Sequence, residues 1–182
     1  MEADSIVRKA YESILSGDFE QAIRWFEQAI AADPDNADYH YRCSITHARS
    51  GKWHKALEYA KQAVTLRPDQ SEYSYHLNTV KAKVLVAEAS QFIEGQPQNH
   101  DGAIALLHEA TRLDPLNGDA FLLLGAAYNE LMLHDEAAAH LREALQLNPE
   151  HAEANRLLAE IANRKRVIPF VRSQRRKRRR NR

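Results

Sequence analysis

The chain holds a single cysteine, Cys43, in 182 residues, so no internal disulfide can staple it and no pair of thiols spaced for zinc exists. It has only six glycines and six prolines, and neither a glycine-rich phosphate loop nor an HExxH metal motif occurs among its residues. No apolar run approaches the ~20 residues needed to cross a bilayer. The opening MEADSIVRKAY places acids where a secretory leader needs a basic segment and an apolar run, which makes the cytoplasm the expected location. These absences exclude a disulfide scaffold, a membrane-spanning protein and the commoner metal and nucleotide enzymes. No catalytic residue, cofactor or metal is expected.

Acid is missing from one region only. All 25 Asp+Glu lie before residue 164, together with 14 of the 25 Lys+Arg, so residues 1–163 carry −11, and residues 164–182 hold the other 11 bases and no acid. The formal net charge of zero therefore conceals an acidic body and a basic arm, and such arms meet polyanions or acidic protein faces. The hydrophobic content of 44% gives the body enough apolar material for a buried core.

What is present is a period. Pro34 and Pro68 are 34 residues apart, as are Pro115 and Pro149, and the middle interval is 47. Ala22, Ala56, Ala103 and Ala137 move in the same steps, and so do Ala29, Ala63, Ala110 and Ala144. A period of this size signals stacked supersecondary units. Small residues allow helices to approach closely, and apolar neighbours three and four residues away form a buried stripe. The pattern predicts helices over Asp4–Leu15, Phe19–Ala32, Ala37–Arg49 and Trp53–Leu66, with Gly17 and Gly51 in the turns and Asn36 as an N-cap. The 13 extra residues of the third period fall before Ala103. From Ser71, expected as an N-cap, no Gly or Pro intervenes until Gly95, so one helix over Glu72–Glu94 is predicted. Such a helix would be about 35 Å long and project roughly 20 Å beyond its neighbours.

Counted from Gly118, the last period carries Phe121 at position 4, Leu124 and Gly125 at 7 and 8, Tyr128 at 11, Ala137 at 20, Leu141 at 24, Ala144 at 27 and Pro149 at 32. This series resembles the tetratricopeptide repeat. The resemblance implies an all-α fold: a right-handed superhelical solenoid of about four helical hairpins and a C-terminal capping helix, followed by a disordered basic tail. The repeats would cover about 3–36, 37–70, 71–117 with an extended first helix, and 118–151, the cap 151–163 and the tail 164–182. The second repeat departs from the pattern by placing His40, Cys43, Ser44 and His47 on its packing face, and the fourth by having Met132 where a turn glycine is expected.

Cys43 at position 7 points into its hairpin, which assigns it to packing, since a nucleophilic thiol needs an exposed, electropositive setting. His40, His47 and His54 are spaced by seven, about 10 Å along a helix, too far for two imidazoles to share one ion.

By the same resemblance, positions 2, 5, 9 and 12 of each first helix line a concave face. The expected partner-binding residues there are Tyr11, Tyr41, Ile45, Tyr75, Leu122 and Asn129, rimmed by Asp4, Asp38, Glu72 and Asp119. Tyrosine offers large contact area at low entropic cost and a hydroxyl for a peptide backbone. Family members that bind chaperone C-termini use Lys, Asn and Arg on this face to clamp a carboxylate. Here Val7 and Tyr11 stand in the first repeat where Lys and Asn are needed, and Arg42 is isolated. A basic or apolar protein or peptide partner is expected instead.

The tail has VIPFV at 167–171 and then RSQRRKRRRNR. Arg172, Arg175, Arg176, Lys177, Arg178, Arg179 and Arg180 are candidate polyanion contacts, because the guanidinium fork suits phosphate. RNA binding, anchoring to an anionic membrane surface, docking on the acidic body and simple solubilisation all remain open for it. The sequence thus predicts a non-enzymatic scaffold or adaptor, with an RNA- or ribosome-associated adaptor as the alternative.

Overall fold

The computed structural model describes residues 2–164, with side chains from Ser5 onward. Among the described residues there are nine helices and no strand. Eight are α1 (Glu2–Leu15), α2 (Phe19–Ala32), α3 (Ala37–Arg49), α4 (Trp53–Leu66), α5 (Ser71–Glu94), α6 (His100–Leu113), α7 (Gly118–Glu130) and α8 (His134–Leu147). The ninth, α9, covers residues 152–164. The basic-tail assignments, Arg172 to Arg180 included, lie outside the described residues, as does the side chain of Asp4.

The punctuation of the helices has local causes. Gly17 and Gly51 take φ of 80° and 71° in the turns after α1 and α3, a region that costs glycine nothing. Met132 occupies the equivalent place after α7 and adopts the same conformation, φ 61°, despite its side chain. The caps are a correction to the sequence reading. Asn36 precedes α3 but makes no capping bond; its Nδ2 donates instead to Asp33 Oδ2 at 3.2 Å. Ser71 is the first residue of α5 itself. Side-chain caps are supplied by Asp18, which accepts from Gln21 N at 2.9 Å, Asn99, which accepts from Gly102 N at 2.9 Å, and Asn117, which accepts from Ala120 N at 3.2 Å.

The described residues divide into two compact units, one up to Val84 and one from Leu85 onward. In the first, Ala10 of α1, Phe26 of α2 and Cys43 of α3 form one buried cluster, and Ala37, Ala63 and Tyr73 another. In the second, Ala137, Ala138, Leu141 and Ala144 of α8 meet Ala154, Leu157 and Ile161 of α9, so the last helix covers an apolar face that would otherwise be exposed. Close approach between α7 and α8 depends on Gly125. A Cβ there would lie 2.5 Å from Leu141 Cγ and 3.3 Å from Ala137 O.

The long helix does not project as predicted. Tyr73, Leu77, Val80, Ala82, Val84, Val86 and Ala89 are all buried, and from Val80 to Ser90 no residue of α5 is exposed. These apolar residues fall on more than one side of the helix, and Lys81, Lys83 and Glu88 between them are themselves only partly exposed. Exposure returns only near the end, at Gln91, Phe92 and Glu94.

The charge divides with the fold. Residues 1–84 hold 12 acids and 11 bases, net −1, whereas residues 85–163 hold 13 acids against Arg112, Arg142 and Arg156, net −10.

Candidate functional site

In the first unit, α1, α3 and the first turns of α5 carry Tyr11, Tyr41, Ile45 and Tyr75. Tyr75 stands 65% exposed and Tyr11 37%, while Tyr41 and Ile45 are half-buried. Tyr41 fixes α3 to α5: its hydroxyl donates to Glu72 Oε1 at 2.8 Å, and its ring lies 4.6 Å from Tyr73 and 5.3 Å from His76. Burial, then the bond to Glu72, pushes the phenol up to about 12. Tyr41 is therefore a fixed donor at neutral pH.

Arg42 is not isolated. Its guanidinium pairs with Asp38, contacts the Tyr11 hydroxyl and lies over the Tyr11 ring at 5.3 Å to the centroid. The Tyr11 ring also meets Phe26 edge-on at 6.0 Å. Tyr11, Arg42 and Asp38 thus tie α1 to α3, and the Arg42 guanidinium is already paired. Asp38 titrates above the usual carboxylate range, first through burial and second through the nearby negative charge of Glu72.

The polar packing face of α3 is satisfied largely by the hairpin itself. The His40 Nε2 proton is donated to Pro34 O at 2.9 Å. Ser44 Oγ donates to Ala56 O at 2.7 Å and accepts from His76 Nε2 at 2.8 Å, which places the His76 proton on that nitrogen. His47 is 4% exposed and stacks on Tyr59 at 5.2 Å; both of its ring nitrogens lack a hydrogen bond, and burial lowers its pKa. Glu27 Oε1 lies 4.0 Å from His47 Nε2 and accepts from the Tyr59 hydroxyl at 3.2 Å. Cys43 is fully buried, and burial followed by the Glu27 charge pushes its thiol up to about 12. A thiol in that state is not a nucleophile at neutral pH. Among the described residues, no group of three or more His, Cys, Asp or Glu is arranged to hold a metal ion.

In the second unit, Leu122 is half-buried against the core of α8 and α9, and Asn129 is 7% exposed with its Oδ1 unpartnered. Neither presents the open side chain that Tyr75 does. An aromatic cluster that the sequence reading missed lies nearby. His140 stacks on Tyr128 at 5.4 Å and lies 5.5 Å from His108, and His108 Nε2 is 3.0 Å from the Tyr128 hydroxyl. Position 11 had marked Tyr128 as a packing residue, but nothing in the repeat marks the two histidines.

No described helix is long and apolar enough to cross a membrane. Two sequence profiles, each described as "Tetratricopeptide repeat", match residues 13–83 and residues 98–147 and 133–166. The structure is similar to a crystal structure of MamA protein at 23% identity and a TM-score of 0.52, with 90% of this chain and 82% of that chain covered. It is also similar to MamA, residue 41 to the end, from Desulfovibrio magneticus RS-1 at 20% identity and a TM-score of 0.53, covering 94% of this chain and 96% of that one. At such identities the likeness is one of fold. No curated protein matches the sequence.

Proposed function

Because this chain belongs to the tetratricopeptide repeat family, whose members are protein-interaction scaffolds, we propose that it acts as a non-enzymatic adaptor holding a partner segment on the tyrosine face of residues 1–84. The observation that carries this reading is Tyr75, 65% exposed, one turn from Glu72, which accepts the Tyr41 hydroxyl. An exposed aromatic beside a carboxylate suits a ligand that offers an apolar side chain and a cation. Glu72 supplies the negative charge, and Arg42 is occupied by Asp38 and Tyr11. The ligand class is therefore a basic or apolar peptide, and a free carboxylate terminus is disfavoured.

Affinity purification with the full chain tests this. Tyr75→Ala, a change at an exposed position, should abolish capture of the partner while leaving the helical circular dichroism and thermal midpoint in place. Capture that survives this change would move the site off the tyrosine face.

A second reading is an RNA- or ribosome-associated adaptor, favoured by the 11 bases without an acid in residues 164–182. Binding through these bases would weaken with salt at a log–log slope of about −0.7 per phosphate contacted on a single strand. Substituting Arg175, Arg176 and Arg178–Arg180 by Gln should flatten that slope; an unchanged slope would remove the tail from RNA binding.

A further inference from the structure

Two features of the second unit meet where its described residues end. Residues 148–151 join α8 to α9, and Ala154, Leu157 and Ile161 share one core with Ala137, Leu141 and Ala144. Two packed helices joined by so short a connection run in opposite directions. The last turn of α9 therefore lies level with the first turn of α8, and the chain leaves α9 beside the α7–α8 turn.

That turn is Leu131-Met132-Leu133, exposed by 37, 65 and 43%. Three consecutive apolar side chains at a turn are unusual, because turns favour polar residues and glycine. Here the middle one also holds a left-handed backbone conformation at φ 61°, where a glycine would be unstrained. Glu130 and Glu136 flank the patch, both exposed. Residues 85–163 are short of cations to neutralise them: of their three bases, Arg112 is paired with Glu109, and Arg156 with Glu153 and Glu160.

The residues that follow α9 have the complementary order. VIPFV, 167–171, comes first and the arginine run second. From residue 164 to 167 is at most about 10 Å of chain, and the 11 residues from 172 to 182 reach at most ~40 Å, against a length of about 21 Å for a 14-residue helix such as α8. The apolar segment can thus reach the apolar turn while the bases run along the acidic surface of α8 and beyond.

We propose that residues 167–182 dock on the α7–α8 turn of their own chain, VIPFV covering Leu131, Met132 and Leu133, and the arginines meeting Glu130, Glu136 and Glu143. The tether decides for the same chain over a second copy. A connection of a few residues gives an effective concentration of about millimolar, far above that of another molecule in dilute solution. The acidic unit is then the tail's resident ligand, and any external polyanion must compete with it. This inference is independent of the tyrosine-face reading, and it gives the RNA reading a built-in competitor.

Trypsin cleavage within the tail of the intact chain, followed by mass spectrometry, tests the docking. The combined variant Glu130→Gln, Met132→Ser, Glu136→Gln adds no new cleavage site. Its tail should be cut at least ~5-fold faster than that of the unaltered chain at low salt, because cleavage follows the undocked population, and high salt should remove the difference. Equal rates at low salt overturn the proposal, as does protection that grows with protein concentration, which would assign the tail to a second copy. A measurement that needs no variant is hydrogen exchange of residues 130–136, which should rise when heparin is added to the unaltered chain. Unchanged exchange with heparin bound overturns the proposal as well.

Discussion

The hairpins α3–α4 and α7–α8 are built on one plan and filled with opposite chemistry. Where the second has Phe121, Leu124, Gly125 and Tyr128, the first has His40, Cys43, Ser44 and His47. Leu141, fully buried in α8, corresponds to Ala60 in α4. The small Ala60 is accompanied by two imidazoles packed near Tyr59, at 6.1 Å for His40 and 5.2 Å for His47. At Gly125 there is no room for a Cβ, with Leu141 Cγ 2.5 Å away; at the matching place Ser44 sends its hydroxyl to the carbonyl of Ala56 at 2.7 Å. Filled volume is what the plan demands, with hydrogen bonds serving Ser44 and one nitrogen of His40 but neither nitrogen of His47. Apolarity is one way of meeting it.

The comparison breaks most visibly at Leu141. Leu141→Ala should cost about 2–5 kcal/mol, because Leu141 is fully buried in the core that α8 shares with α9 and its removal leaves a cavity there, and chemical denaturation of the full chain measures it. Overpacking the same contact comes next. Gly125→Val forces Leu141 aside at a cost of about 1–3 kcal/mol, read as a lowered thermal midpoint.

Ser44→Ala sharpens the polar side of the comparison. It leaves the His76 N–H without its acceptor, while the Ala56 carbonyl keeps its helical bond within α4, a loss of about 1–3 kcal/mol; a thermal midpoint that does not move would show that water replaces the hydroxyl. Acid should act on α3–α4 through the same chemistry. Burial holds His47 and His76 below the ordinary imidazole range, so as pH falls the unfolded chain takes up protons first. Stability is then flat above the ordinary histidine pKa of ~6.5 and declines below it. His47→Phe, which removes no hydrogen bond, should reduce that acid loss; an identical pH profile for both chains would exclude His47 as a source. The smallest effect is expected at Met132, where Gly17 and Gly51 mark what the turn prefers. Met132→Gly should raise stability by up to about 1 kcal/mol, the relief of left-handed strain being offset by the entropy of a glycine in the unfolded chain.

Much of this was legible in the residues. The proline and alanine steps placed the helices because they mark helix ends and close contacts, which are set locally. The site was less legible, because it depends on partners distant in sequence. Asn36 had the composition of a cap, yet Asp33 took its amide. Arg42 looked isolated until the fold brought Tyr11 against it, 31 residues away in sequence. The burial of α5 was written in Val80, Ala82, Val84 and Val86, whose alternation puts apolar residues on opposite sides of a helix, but helix length alone suggested a projecting arm. The concentration of charge after residue 84 became visible only when the fold divided the chain there.

Cys43 gives the first unit an internal reporter. It is the only thiol in the chain, it is fully buried, and residues 85–182 contain none. A thiol-specific reagent can therefore react only when the packing of α1, α2 and α3 opens, and the rate of labelling counts those openings. The intact molecule thus allows one half of itself to be timed separately from the other, with no engineered probe.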